Sequence, residues 1–181
     1  QSTFTSIVPT ICYDQLSQTE EFSKAKADLK INRIQIGSAP VVPHEVQKFM
    51  EQFAISLYQG YGQTETALRV TGVPLNLEKN LYERLINENS IGKPMSWADV
   101  QVIDTQGNVL GEGQEGEIAA KGPAVMKGYI ENPEANKDAF KNGYFLTGDL
   151  GYYKLINSVR YFFLKGRIKE IIIKGGVNLS P

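Results

Sequence analysis

Between Arg33 and Thr66 the chain spells out strand, helix, strand with short joins, and that order leaves few folds open. Ile34 and Ile36 alternate with Arg33 and Gln35 and run into Gly37-Ser38-Ala39-Pro40, a strand ending in a tight turn. Pro43 stands where a first helical residue would, and Val46, Phe49, Met50 and Phe53 follow at i, i+3, i+4 and i+7. That spacing predicts an amphipathic helix with one buried face. Ile55 to Tyr58 is a second apolar run. A crossover of this kind is right-handed and its strands are parallel. Ligands of parallel sheets gather beyond the carboxyl ends of the strands. The loops at Gly37–Pro40 and Gly60–Glu65 are therefore expected to be neighbours and to face a ligand together.

The second loop, Gln59-Gly60-Tyr61-Gly62-Gln63-Thr64-Glu65-Thr66, packs two glycines, a ring, two hydroxyls and a carboxylate into eight residues. Glycine lets backbone approach a ligand and tolerates positive φ. An aromatic face can stack on a base, worth roughly 1–3 kcal/mol. Hydroxyl and carboxylate suit a phosphate oxygen and its Mg²⁺, which prefers oxygen ligands. Taken alone, the stretch fits a Gly-rich turn with a solvated Glu65 equally well.

Upstream, Ser6 to Thr10 reads as extended, with Pro9 allowing a helix that Leu16, Phe22 and Leu29 mark loosely. Downstream, Pro74 to Asn89 predicts surface loop with a short helix around Tyr82–Ile86. From Ile91 to Gly128 short alternating runs (Val100, Val102; Glu117 to Lys121) separated by turns predict antiparallel β structure, a small barrel or sandwich. Trp97 falls in a turn and reads as packing. Asn132-Pro133-Glu134 opens a helix with a cap, a first-turn proline and a first-turn acid. Tyr144 to Asp149 is a strand delivering an aspartate after a glycine. Such a carboxylate can accept from both hydroxyls of a ribose, although a turn aspartate bonded to local N–H groups fits the same text. A hairpin tipped by Asn157-Ser158 leads to Tyr161–Leu164, the charged stretch Lys165–Glu170 and a last strand, Ile171–Ile173.

Composition narrows the function. In 181 residues, 41% are hydrophobic and 22% charged, enough for a core. A net charge of −1 without a long basic run disfavours nucleic acid and anionic membrane as partners. One Cys and one His exclude a disulfide framework and a zinc cluster. Cys12 reads as core and His44 as surface. No signal peptide or long apolar run is present, which predicts a cytoplasmic protein. A start on Gln1 and an end just past a strand-like run predict an internal piece of a longer polypeptide.

In their order, Tyr61-Gly62-Gln63-Thr64-Glu65, Gly116-Glu117-Ile118 through Gly122 to Gly128-Tyr129, Thr147-Gly148-Asp149 and Gly166-Arg167-Ile168-Lys169-Glu170 resemble the core motifs of the adenylate-forming (AMP-binding) superfamily. Its members include acyl-CoA synthetases, peptide-synthetase adenylation domains and luciferases. Gly37-Ser38-Ala39-Pro40 resembles its adenine-pocket loop, and Lys174-Gly175-Gly176-Val177-Asn178 the opening of its small C-terminal domain. The resemblance covers about Phe4 to Pro181 and is nearest to acyl-CoA synthetases of fatty or aryl acids.

The resemblance implies an α/β (α+β) fold: a parallel βαβ portion, then an antiparallel β-barrel-like subdomain, within an acyl-CoA synthetase-like large domain. Residues 1–90 would belong to the α/β nucleotide-binding subdomain, 91–168 to a β-rich subdomain, and 169–181 to the hinge and start of the small domain. It implies activation of a carboxylic acid by ATP as acyl-AMP, then transfer to coenzyme A or, alternatively, to a carrier protein of a polyketide or lipopeptide assembly line. A non-catalytic adenylate-binding module is a further alternative. By similarity, Tyr61 stacks on adenine, Ser38, Ala39 and Pro40 border it, and Gly37, Gly60 and Gly62 shape the pocket. Thr64 touches the α-phosphate, Glu65 holds Mg²⁺, Asp149 binds the ribose and Arg167 reaches ribose or phosphate. Lys169 is the hinge beside the nucleotide. Gly37, Gly60, Ala67 and Thr71 leave room for the acyl group. The superfamily's upstream phosphate loop and late C-terminal lysine are missing from this sequence, so the 181 residues alone are expected to be inactive.

Overall fold

The computed structural model describes residues 4–28, 31–39, 41–168, 172–174 and 177–179. Its first three strands, β1 (Phe4–Ile7), β2 (Arg33–Ile36) and β3 (Ser56–Tyr61), are parallel and adjacent in that order. Helices α1 (Pro9–Ser17) and α2 (Thr19–Asp28) make the first crossover, and α3 (Pro43–Phe53) makes the second. Pro9 and Pro43 each open a helix, where a missing N–H leaves no bond unmade. Val46, Phe49 and Phe53 of α3 pack on Ile34, Ile36 and Leu57 of the sheet, together with Cys12 of α1. Phe53 meets Phe22 and Phe49 edge to face, with centroids 4.6 and 4.8 Å apart. Because side chains alternate along a strand, Gln35, Tyr58 and Gly60 belong to the opposite sheet face.

β3 runs further than Tyr58. It continues through Gly60 and Tyr61, where it pairs antiparallel with β4 (Thr71–Gly72), and β4 pairs with β5 (Ser90–Pro94). Helix α4 (Lys79–Asn87) fills the link between them. The antiparallel half then proceeds through β6 (Asp99–Ile103), β7 (Gly116–Lys121), helix α5 (Pro133–Ala139), the short β8 (Phe140–Lys141), β9 (Tyr144–Ile156) and β10 (Val159–Arg167). The two halves form one sheet in the order β1-β2-β3-β4-β5-β10-β9-β7-β6. The expected barrel is thus corrected to an open sheet. Closure would need β6 to reach β5, but both edges of β5 are already filled, by β4 and β10. β5 also straddles residues 90 and 91. Beyond them, β11 (Ile172–Lys174) and β12 (Val177–Leu179) pair as a separate antiparallel ribbon.

The local signals hold. The Asn132 side chain accepts from Ala135 N at 3.1 Å, capping α5. Asn157 and Ser158 both have positive φ (51° and 63°), as a two-residue hairpin turn whose twist matches its strands requires. Cys12 is wholly buried, whereas the His44 side chain is 79% exposed. Trp97 sits in the expected turn, partly exposed, its indole N–H donating to the Arg69 carbonyl at 3.4 Å. Among the described residues no helix is long and apolar enough to cross a membrane.

Candidate nucleotide-binding site

The two carboxyl-end loops are neighbours, and their glycines serve each other. A Cβ at Gly37 would stand 2.6 Å from the Gly60 carbonyl oxygen, and one at Gly62 would stand 2.3 Å from the Leu68 carbonyl. None of Gly37, Gly60 and Gly62 has positive φ. The glycine signal therefore reported close backbone packing rather than an unusual conformation. Strain sits instead on residues with side chains: Ser38 (φ 70°), Ala67 (48°) and Leu68 (80°) occupy the left-handed region. Such residues persist only where their surroundings over-determine them, which is common at ligand sites. Ser38 and Ala39 are exposed beside Gly37. Pro40 lies outside the described residues.

Tyr61, Asp149 and Arg167 come together from distant parts of the chain. The Tyr61 hydroxyl donates to Asp149 Oδ2 at 2.6 Å, and Arg167 Nε lies 3.0 Å from Asp149 Oδ1. Asp149 is only 6% exposed, so its charge is held by these charge-assisted contacts. Burial, followed by the Asp149 charge, pushes the Tyr61 phenol well above its usual range and keeps it a donor. Arg167 reaches Asp149 because of a bulge in β10. Leu164 pairs with Gly151, Gly166 with Leu150 and Arg167 with Asp149, leaving Lys165 as the extra residue. Without that residue every following side chain would swap faces.

Polar contacts brace this centre. Gln63 donates to the Thr147 carbonyl at 3.1 Å, and Thr147 donates to the Ile118 carbonyl at 2.7 Å. Gly148 takes φ 74°, and its N–H donates to Glu117 Oε1 at 2.7 Å. Burial raises the Glu117 carboxyl above its usual range.

Glu65 belongs to a single turn of 3₁₀ helix, Thr64–Thr66. Its Oε1 accepts from the Tyr129 hydroxyl at 3.0 Å. Thr64 is exposed at the start of the same turn. A cleft of about 860 Å³ joins Glu65, Tyr129, Glu117, Gly148 and Arg167. Its lining carries three carboxylates (Glu65, Glu117, Asp138) against one guanidinium, Arg167. A polyphosphate entering there would need added positive charge. The Glu65 carboxylate fits Mg²⁺, which is often held by one or two carboxylates with substrate phosphates and water. Among the described residues no group of three or more His, Cys, Asp or Glu forms a protein-only metal cage. A second cavity, of about 710 Å³ between α3 and α4, contains none of the predicted site residues. Lys169 lies outside the described residues.

Sequence reading missed Tyr129, Glu117 and Gln63 as partners, although each lies within a quoted motif. It also missed Arg69, whose guanidinium spans Gly60 and Gly72. Thr71, expected to leave room for an acyl group, is wholly buried and donates to the Ile91 carbonyl at 2.7 Å.

The open α/β sheet thus joins an aromatic at the carboxyl end of parallel strand β3 to a buried aspartate and an arginine from the antiparallel strands β9 and β10. Residues 1–130 match the AMP-binding enzyme family, and the chain belongs to it. Asp149 and Arg167 fall beyond that match, but longer likenesses include them. The chain is 36% identical over 180 residues to the sulfoacetate–CoA ligase of Cupriavidus necator, covering 99% of this chain and 33% of that protein. It is 33% identical over 181 residues to the oxalate–CoA ligase of Arabidopsis thaliana, with 99% and 33% covered. The o-succinylbenzoate CoA synthetase of Bacillus subtilis, solved with its acyl-adenylate intermediate, superposes with a TM-score of 0.79 at 29% identity. That alignment covers 99% of this chain and 34% of the synthetase, which has also been solved with ATP and magnesium ion. The chain spans about a third of the length of these relatives.

Proposed function

We propose that this chain is part of an AMP-forming acid–CoA ligase. The acid's carboxylate oxygen attacks the α-phosphorus of ATP, the bond to the bridging oxygen breaks, and pyrophosphate leaves. The thiol sulfur of coenzyme A then attacks the acyl carbon, AMP departs with the former carboxylate oxygen, and the thiol proton passes to solvent. The observation that carries the reading is the Tyr61–Asp149–Arg167 cluster beside Glu65, in a chain of the AMP-binding family. On this reading the Tyr61 ring offers a face to adenine, bordered by Ser38, Ala39 and Pro40. Asp149 would accept from the ribose hydroxyls. Thr64 meets the α-phosphate, Arg167 ribose or phosphate, and Glu65 the Mg²⁺ that supplies charge neutralisation. Such a site works by placing reactants in line and by balancing phosphate charge. Residues 1–90 would serve the α/β nucleotide subdomain, 91–168 a β-rich one, and 169–181 the hinge. The acids named for the relatives above each carry a second anionic group, which bears on substrate class.

Acid-dependent ATP–pyrophosphate exchange by the full-length protein tests the proposal. Glu65→Gln should abolish most of the exchange while leaving the melting temperature in place. Exchange within about threefold of wild type would remove the role given to Glu65.

A further inference from the structure

Arg69 is a cation without an anion. Nη1 donates to Gln35 Oε1 at 3.0 Å, and Nε is closed off from solvent with no hydrogen-bond partner. Among the described residues no carboxylate forms an ion pair with it. Glycines make its bed. A Cβ on Gly60 would lie 3.4 Å from Nε, and one on Gly72 would lie 2.2 Å from Nη2. Gly60 and Gly72 are directly paired across β3 and β4, so the guanidinium lies over both strands on the face away from α3. A side chain at position 72 would displace the guanidinium from this position, whereas a Cβ at position 60 would stand in ordinary contact with it. A neutral side chain would fill that space without the cost of burying part of a charge. A guanidinium is also the fork that matches a planar or tripodal oxyanion through paired N–H groups.

The place matters as much as the charge. Gly37 and Gly60 touch here, and both line the region read as room for the acyl group. The loop leading in, Ala67-Leu68, is held in the left-handed region, and Leu68 is 81% exposed.

We propose that the acid taken by this site carries a second oxyanion, a carboxylate or sulfonate, remote from the reacting carboxylate, and that Arg69, steadied by Gln35, receives it. The inference rests on the ligase reading and narrows its substrate class from fatty or aryl acids in general to short or aryl acids with two anionic ends. Arg69 is a specificity residue on this account, because it touches the part of the acid that does not react.

Pyrophosphate exchange by the full-length protein, measured with matched acids, decides it. Suitable pairs are malonate with propionate, succinate with butyrate, and phthalate with 2-methylbenzoate; sulfoacetate supplies the sulfonate arm. At least one dianion should exceed its monoacid tenfold or more in kcat/KM. Arg69→Gln should lower that ratio at least tenfold, chiefly through KM, and Arg69→Lys should restore part of it. Monoacids equal to or better than every dianion, or an Arg69→Gln loss shared equally by both, would overturn the proposal. If no acid supports exchange, the ligase reading falls and the contact is judged by binding. Thermal protection of wild type, but not of Arg69→Gln, by millimolar succinate, phthalate or sulfoacetate would uphold it, and no difference between the two proteins would refute it.

Discussion

Replacing Tyr61 by phenylalanine separates what the ring does from what the hydroxyl does. Phenylalanine keeps the flat face and removes one donor from a carboxylate that is 6% exposed. A hydrogen bond to a charged group contributes about 1.5–3 kcal/mol. Arg167 stays beside Asp149, but its side chain is 54% exposed and its share is screened. The loss should therefore fall near the middle of the range, about 2 kcal/mol. Unfolding entropy of about 2.1 cal/mol/K per residue, over 181 residues, comes to roughly 0.4 kcal/mol/K. The expected drop in melting temperature is then about 5 °C. Affinity for AMP should change less than about threefold, since stacking belongs to the ring.

The pH dependence adds an independent check. The folded phenol titrates well above its usual value, so the neutral form is the one the fold favours. That contribution is complete below about pH 10, the unfolded value, and is lost as pH climbs from there towards the folded value. The gap in stability between wild type and Tyr61→Phe should thus be full at neutral pH and shrink above about pH 10. Circular dichroism melts across pH 7 to 11 read both quantities. A shift below about 1 °C, or a gap that widens in alkali, would refute the hydrogen bond as drawn.

Three further expectations concern other parts of the fold. Burial, and secondarily the Glu45 charge, lift the Cys12 thiol from 9.0 to about 12, so its stability contribution is whole below pH 9 and fades as pH rises through 12. Iodoacetamide at pH 8 should accordingly label Cys12 in native protein at least a hundredfold slower than in urea, and comparable rates would contradict its burial. Gly166, at φ 148°, forms the bulge that aims Arg167, and Gly166→Ala should cost roughly 1–3 kcal/mol and weaken AMP binding, whereas an unchanged melt and affinity would show the bulge to be dispensable. If Lys169 is the proposed hinge, Lys169→Pro should slow thioester formation at least tenfold in the full-length protein, about 1.4 kcal/mol, and adenylate formation far less, with equal losses in the two half-reactions counting against it.

Much of the parallel half was legible because its signals are local. Helical spacing in α3, alternation in β2 and prolines at helix starts depend on neighbours within about two turns. The Asn132 cap and the Asn157-Ser158 turn are equally local. The open sheet was not legible, because short strands with Gly-rich turns read alike whether the last strand closes on the first or on something else. β9 hid part of its thirteen residues behind Gly148 and Gly151, which look like breaks in sequence. In the sheet, Gly151 is a packing necessity, since a Cβ there would lie 2.6 Å from the Phe163 carbonyl oxygen. The Tyr129–Glu65 contact joins residues 64 apart, and the Tyr61–Asp149 contact joins residues 88 apart. Nothing in either local stretch fixes such a pairing.

Several of the places where local rules fail belong to the candidate site. Ser38, Ala67 and Leu68 carry side chains in the left-handed region, where glycine would be easier. Arg69 keeps a shielded donor unpaired, with two glycines making room for it. Lys165 is inserted into an otherwise regular ladder so that Arg167 can face Asp149. A chain optimised for stability alone would relieve each of these, and local inconsistency is expected where function sets the terms. Ser38 follows the carboxyl end of β2, Ala67 to Arg69 lie in the link from β3 to β4, and Lys165 lies in β10. Elsewhere, Ala54 ends α3 in the left-handed region, and Asn89 has a positive φ and an unpartnered Oδ1 while its side chain donates to the Val41 carbonyl at 3.3 Å. Two of the strained loops bracket the same pair of touching glycines, Gly37 and Gly60, with Tyr61 following directly on one side and Arg69 resting on the other. A nucleotide held at Tyr61 and an acid anchored at Arg69 would approach each other across that glycine contact.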